Sequence, residues 1–268
     1  MRYVVYQVDG APRLGALIGD AVVDLGPDFD RLTDGLVPPA DAARVPLSDT
    51  RLLAPVPRPG KIICVGRNYR DHVGEKAMAI PDRPMLFAKF ANAVVGPGMP
   101  IVRPRSTTQL DLECELAVVI GHTARRVERD QALDAVFGYT ILIDVSARDH
   151  QRDDGQWLRA KGSDTFAPIG PCVVSRDELG DGSGLRIRSS VNGEAWQDST
   201  TDQMIFDVPA IIAYVSANIT LEPGDLIATG TPAGVGQYHD PPRFLQPGDV
   251  VRCEIEGIGV LENPVTAG

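Results

Sequence analysis

Short apolar runs dominate the chain, and most are rich in β-branched residues. YVVYQV, KIICVG, ELAVVIG, YTILIDV, PCVVS, LRIRSSVNG, DLIATG and VVRCEIEGIG are separated by glycine, proline and acidic turn residues. This pattern predicts many strands of five to eight residues. RIRSSVNGEAWQ predicts a hairpin turning at Asn192-Gly193, because both central residues of such a turn need a positive φ. EPGDLI and QPGDVV each place Pro-Gly-Asp before an apolar run, a turn feeding a strand. Helical periodicity is rarer. It predicts helices over 128–139, over 209–219, and from about Asn68 through YRDHVGEKAM. The class that follows is β-dominated α+β.

The first 54 residues read as a small N-terminal α/β unit: a strand pair, RYVVYQVDG and RLGALIGDAVVDLG, and then a helical stretch. PVPRPG at 55–60 resembles a linker. A main domain over 55–268 is expected to follow. The 268 residues, 43% hydrophobic and 23% charged, suffice for a sizeable core. The net charge of -10 and the lack of a basic run argue against nucleic-acid and anionic-membrane partners. No run approaches the roughly 18 apolar residues of a membrane span, and the N-terminus lacks a signal-peptide pattern. Cytoplasmic localisation is therefore expected. Cys64, Cys114, Cys172 and Cys253 are widely spaced, without a CxxC pair, and read as buried thiols. Lysine occurs only at 61, 76, 89 and 161, which makes each one worth inspecting.

DLECELAVVIG carries the most chemistry. Alternation along a strand places Asp111, Glu113 and Glu115 on one face and Leu112, Cys114, Leu116 and Val118 on the other. Stacked carboxylates repel, and a hard divalent cation resolves that repulsion. From spacing alone the commoner reading is an edge strand with a solvated acidic face. Asp144 ends the apolar run YTILID, where it suits a metal ligand or a turn cap. In GRNYRDHVGE, His72 and Glu75 lie one helical turn apart, so the carboxylate can orient the imidazole as a general base. An isolated HxxE is more often a surface pair. His122, His150 and His239 show no metal-ligand spacing. There is no GxSxG elbow, P-loop or GxGxxG, which removes the commonest serine-hydrolase, phosphotransfer and dinucleotide readings.

Taken together, KIICVGRNYRDHVGE, PMLFAKFANAVVGPGMPI, DLECELAVVIG, GYTILIDVSARDHQ, QWLRAKGSDTFAPIGP, VNGEAWQDSTTDQMIF and LEPGDLIATGTPAGVG resemble the fumarylacetoacetate hydrolase family. The blocks span residues 55–265 in the family's order. The resemblance implies a mixed β-sandwich roll and a homodimer. It implies Mg²⁺ or Mn²⁺, with Ca²⁺ also accommodated, held by Glu113, Glu115 and Asp144. His72 and Glu75 would form a catalytic dyad, with Lys161 beside it, and Arg67, Tyr69, Arg148, Gln151 and Thr231 would contact substrate. Thr231 is expected near the substrate carboxylate. Where similar proteins often read AKSFDTF, this chain has AKGSDTF, so Gly162 and Ser163 are expected to widen the wall next to Lys161.

The implied substrate is a small anionic 2-oxo acid. The leading expectation is metal-dependent hydrolysis of the C–C bond of a 2,4-dioxo acid of the acylpyruvate or fumarylpyruvate type. His72 would activate water, Lys161 would stabilise the oxyanion, and the leaving enolate would need charge neutralisation. Three alternatives share the same site. They are isomerisation or decarboxylation of a 2-hydroxyhepta-2,4-diene-1,7-dioate or 5-carboxymethyl-2-hydroxymuconate type diacid, oxaloacetate decarboxylation, and metal binding without turnover. Arg67, Arg70, Arg148 and Arg152 would favour a diacid. A sugar-acid substrate would call on Asn92 and Ser163. The 76–84 segment reads equally as a mobile lid or a plain surface loop.

Overall fold

The computed structural model describes residues 1–75 and 79–268. The two largest sheets account for nearly all the strands. The larger runs in the order Arg44–Pro46, Ala21–Gly26, Ala11–Ile18, Arg2–Val8, Ala167–Ser175, Val136–Ile143, Cys114–Ile120, Leu226–Ala228, Ile62–Gly66, Met85–Lys89. The second comprises Glu194–Thr200, Arg186–Val191, Val250–Ile255, Gly259–Ala267 and Ile101–Arg103. Tyr3, Val5 and Leu14 from one end of the large sheet share an apolar cluster with Ile62, Cys64, Leu226 and Ala228 near the other. Lys89, at the end of the last strand in that order, reaches Asp144 just beyond Val136–Ile143, so the sheet rolls. On its other face Leu112, Cys114, Leu116 and Val118 pack with Ile187, Val251, Cys253 and Ile255 of the second sheet. The β-dominated roll is as expected.

Turn chemistry explains much of the layout. Asn192 and Gly193 have φ of 53° and 83°, and they close the expected hairpin. The two Pro-Gly-Asp turns use one device. Asp225 Oδ2 accepts from Glu222 N at 2.7 Å, and Asp249 Oδ2 accepts from Gln246 N at 2.7 Å, each fixing the entry to its strand. Gly224 and Gly248 take the positive φ that the turn requires.

The N-terminal strands do not stand apart. Arg2 and Tyr3 pair with Val174 and Val173, which continues the large sheet across residue 54. The helical stretch expected there is a 3₁₀ turn, Phe29–Asp34.

The helix expected over 128–139 is a correction. Only a 3₁₀ turn, Ala132–Ala135, forms before the strand Val136–Ile143 begins. The spacing of Ala132, Leu133, Val136 and Phe137 mimics a helical face, but Val136 onward carries strand-forming residues that pair on both edges. Val208–Ser216 is a helix as expected, with Asp207 capping Ala210 N. The helix expected from Asn68 spans only Arg70–Gly74. Of the 76–84 segment, residues 76–78 lie outside the described residues, and 79–84 are irregular. No helix among the described residues is long and apolar enough to cross a membrane.

Candidate active site

Register brings the site together at one end of the large sheet. Cys114 pairs with Ile143, so Glu113 and Asp144 emerge side by side. Ala117 pairs with Ala228, and Ala228 with Cys64. The chain leaving these two strands, through Gly230–Thr231 and Gly66–Arg67, therefore borders the same end. The Cys114–Ile120 strand is paired on both edges. Glu113 and Glu115 are 7% and 1% exposed, which excludes the solvated edge strand.

Ligand oxygens of Glu113, Glu115 and Asp144 all lie within 4.8 Å of one another. Asp111, on the same expected face, does not join them. The strand breaks after it, and Leu110–Asp111 pairs instead with Ser146–Ala147. Asp111 accepts from Arg148 Nε at 2.9 Å and from Gly236 N at 2.9 Å, which anchors the 236–238 turn.

Three buried cations face the acids. Arg148 approaches Glu113 Oε1 at 2.7 Å, and Lys161 Nζ reaches Glu113 Oε2 at 2.9 Å and Asp144 Oδ2 at 2.8 Å. Lys89 Nζ lies 2.7 Å from Asp144 Oδ1 and donates to the carbonyls of Phe166 and Lys161. Burial alone would raise the Glu113 carboxyl, but Lys161 and Arg148 outweigh it and hold the group below its ordinary value. Burial would likewise depress Lys161, and Asp144 and Glu113 reverse that. Among the described residues Glu115 accepts only from the Gly230 N–H, at 2.8 Å. Burial, then the charges of Asp144 and Glu113, push its carboxyl well above the usual range. A buried all-oxygen donor set carrying one uncompensated carboxylate fits a hard divalent ion.

Two members of the triad, Glu113 and Glu115, border a cavity of about 560 Å³. His72, Arg67, Arg148, Gln151, Lys161 and Thr231 line it together with Glu113 and Glu115. His72 Nδ1 meets Glu75 Oε2 at 2.9 Å, and Glu75 Oε1 accepts from Gly234 N at 2.8 Å. His72 and Glu75 are thus hydrogen-bonded to each other, with the carboxylate also clamped by backbone. With Nδ1–H committed to Glu75, Nε2 is the imidazole's available base. Tyr69 is placed elsewhere, fully buried in the core. Gly162 and Ser163 are not among the lining residues, so the expected widening at Lys161 has no basis here. Asn92 instead binds Asp164, and Ser163 binds the Arg159 carbonyl. Arg70 is turned to the Met204 carbonyl. Arg152 lines the cavity but pairs with Asp153 at 3.1 Å. Arg67 has φ of 56° and forms no ion pair among the described residues.

Sequence reasoning missed the roof, formed by Gln237, Tyr238, Pro242 and Phe244, and the wall residues Phe87 and Trp157. It also missed Lys89 as a partner of the triad. Scarcity of lysine was the one available signal.

Comparison with known proteins agrees with this architecture. The model of the fumarylacetoacetate (FAA) hydrolase C-terminal region matches residues 61–266. The chain is 48% identical over 220 residues to the mitochondrial oxaloacetate tautomerase fahd2 of Xenopus laevis, covering 81% of this chain and 69% of that protein. Against the human mitochondrial oxaloacetate tautomerase FAHD2A it is 47% identical over 223 residues, 82% of this chain and 71% of that protein. Among solved structures, fumarylacetoacetate hydrolase from Exiguobacterium antarcticum superposes with a TM-score of 0.91 at 40% identity, covering 100% of both chains. A 2-hydroxyhepta-2,4-diene-1,7-dioate isomerase from Mycobacterium marinum gives 0.85 at 40% identity, covering 100% of this chain and 98% of its own. This chain is an enzyme of the fumarylacetoacetate hydrolase family.

Proposed function

We propose that this enzyme moves a proton at the carbon beside the 2-oxo group of a short diacid, interconverting the keto and enol forms of oxaloacetate. One observation carries the reading. A Glu75-oriented imidazole shares a cavity with the carboxylate triad, and Arg67 in that cavity has no ion-pair partner among the described residues. The printed activity of relatives at 47–48% identity supports the same choice.

His72 Nε2 takes the proton from carbon 3, and Glu75 stabilises the imidazolium that results. The C–H bonding pair becomes the enol double bond as the carbonyl π pair moves onto oxygen, and the imidazolium gives the proton to that oxygen. Glu113, Glu115 and Asp144 would hold the divalent ion, Mg²⁺ or Mn²⁺ with Ca²⁺ also admitted by the donor set. When bound, that ion supplies positive charge that acidifies the neighbouring carbon. Arg67 offers its charge to the far carboxylate. Phe87 and Trp157, with ring centroids 5.3 Å apart, supply apolar wall.

Hydrolysis of a 2,4-dioxo acid is the second reading. The same imidazole could take a proton from water, and Lys161 borders the cavity. Against its leading, Lys161 Nζ is already committed to two carboxylates. A cytoplasmic homodimer completes the proposal. Exposed Phe90 and Leu158 near Gly162 give an apolar face for a second copy. Sedimentation of the purified chain and imaging of a fluorescent fusion test these two points, since the animal relatives are named mitochondrial.

The deciding experiment is ¹H NMR of the Mg²⁺-loaded enzyme in D₂O with oxaloacetate and, separately, acetylpyruvate. Accelerated deuterium entry at carbon 3 without product release supports tautomerisation. Acetate plus pyruvate from acetylpyruvate would instead establish the hydrolase, and pyruvate from oxaloacetate the decarboxylase.

A further inference from the structure

A buried amide outside the cavity fixes the polarity of the cavity wall. Gln197 is 1% exposed and comes from the second sheet. Its Oε1 accepts from Cys114 N at 3.0 Å and from Ser189 Oγ at 2.9 Å. Its Nε2 donates to the Pro232 carbonyl at 2.8 Å and to Thr231 Oγ1 at 2.8 Å. The orientation of the amide is unambiguous, because a backbone N–H can only donate and a proline carbonyl can only accept. Thr231 therefore receives a hydrogen bond from Gln197. Its own proton goes to the Cys114 carbonyl at 2.9 Å. Cys114 is the residue between Glu113 and Glu115. A hydroxyl has one proton and two lone pairs. With the proton and one lone pair committed, Thr231 has a single lone pair left for the cavity it lines.

We infer that the Thr231 hydroxyl acts toward ligand only as a hydrogen-bond acceptor, with Gln197 as the positioning residue that holds it so, and that this hydroxyl selects a substrate hydroxyl or enol O–H over a carbonyl or carboxylate oxygen. This rests on the reading of the cavity as a site for 2-oxo acids and their enols. The hydroxyl is thereby turned against a carboxylate oxygen, since its remaining lone pair repels one. It also gives the tautomerase a group that distinguishes its two forms: the enol carries the proton that Thr231 accepts, and the ketone does not.

The test is calorimetric binding of pyruvate and of each lactate enantiomer to the Mg²⁺-loaded protein. These ligands share a charge and differ in a keto or hydroxyl group at carbon 2. Thr231→Val is expected to weaken the better-bound lactate by about tenfold, the worth of one hydrogen bond, and to leave pyruvate nearly unchanged. Thr231→Ser should restore the wild-type preference. Gln197→Leu frees the hydroxyl to rotate and should shrink the lactate preference while circular dichroism and Mg²⁺ affinity are kept. If Gln197→Leu does not fold, the Thr231 pair alone decides. Equal losses for both ligands in Thr231→Val, or a larger loss for pyruvate, would overturn the inference. Failure of the wild-type protein to bind either ligand would sink the reading of the cavity, and the inference with it.

Discussion

Two acidic clusters lie on the same large sheet and are compensated in opposite ways. Asp24 is held by Arg13 through bonds of 2.8 and 2.6 Å and by the Tyr6 hydroxyl at 2.7 Å. The Arg13 bonds keep its carboxyl below the ordinary range, and burial together with Asp24 pushes Tyr6 up to about 12. One acid has one cation and spare donors, and nothing further is needed. The triad also has cations, but they serve Glu113 and Asp144. Glu115, buried beside them, has among the described residues a single hydrogen bond, from a backbone N–H. An acid that serves the fold is satisfied by its own neighbours, whereas an acid left short of charge marks where a charged ligand belongs.

The largest expected effect breaks this contrast directly. Glu115→Gln should lower Mg²⁺ affinity by at least about 100-fold in calorimetry, a ligand being worth no less than its supporting residues. The metal-free protein should melt no lower than wild type, because a costly buried carboxylate has gone. A loss of about 3–5 kcal/mol, as when a buried ion pair is broken, would make Glu115 a structural acid like Asp24. Next, His72→Ala should slow keto–enol exchange by about 10²–10⁴-fold while Mg²⁺ titration is unchanged. Asp24→Asn should cost about 1 kcal/mol in urea unfolding, with exchange activity retained.

The smallest effect is in pH, and here the clusters have opposite signs. The Asp24 carboxyl is lowered by folding, so its contribution is present above its unfolded value and is lost as pH falls through the folded one. The Glu115 carboxyl is raised by folding, so the metal-free fold binds its proton more tightly than the unfolded chain does. Its contribution is lost as pH rises from the unfolded value toward the folded one. Melting curves of the metal-free protein should therefore drop across that window, and saturating Mg²⁺ should flatten the drop. A slope unaffected by Mg²⁺ would assign it to other groups.

Local geometry put the candidate residues together, but spacing alone favoured a solvated acidic face and a surface pair, and only the family resemblance supplied their roles. Two-residue alternation placed Glu113 beside Glu115, helical spacing joined His72 to Glu75, and Asn-Gly fixed a hairpin. Asp144 was readable as the polar end of an apolar run. The rest depends on contacts between distant segments. Lys89 meets Asp144 only because two strands of the large sheet end near each other, and Gln197 reaches Thr231 from the other sheet. Residues 128–139 misled because a short 3₁₀ turn and the start of a strand together imitate one helical face. Asp111 kept the alternation but lost its neighbours when the strand broke behind it, which no spacing rule encodes.

The pairing of Arg2 and Tyr3 with Val174 and Val173 bears on how the protein can be handled. A chain trimmed at residue 54 would leave Ala167–Ser175 with bare N–H and C=O groups where the first strand had been. It would also uncover Val173 and Ile169, which pack against Tyr3 and Val5. Such an edge is a template for pairing with other molecules. Trimming would thus yield aggregation rather than a smaller enzyme, although the acids, the dyad and the cavity wall all lie beyond residue 60.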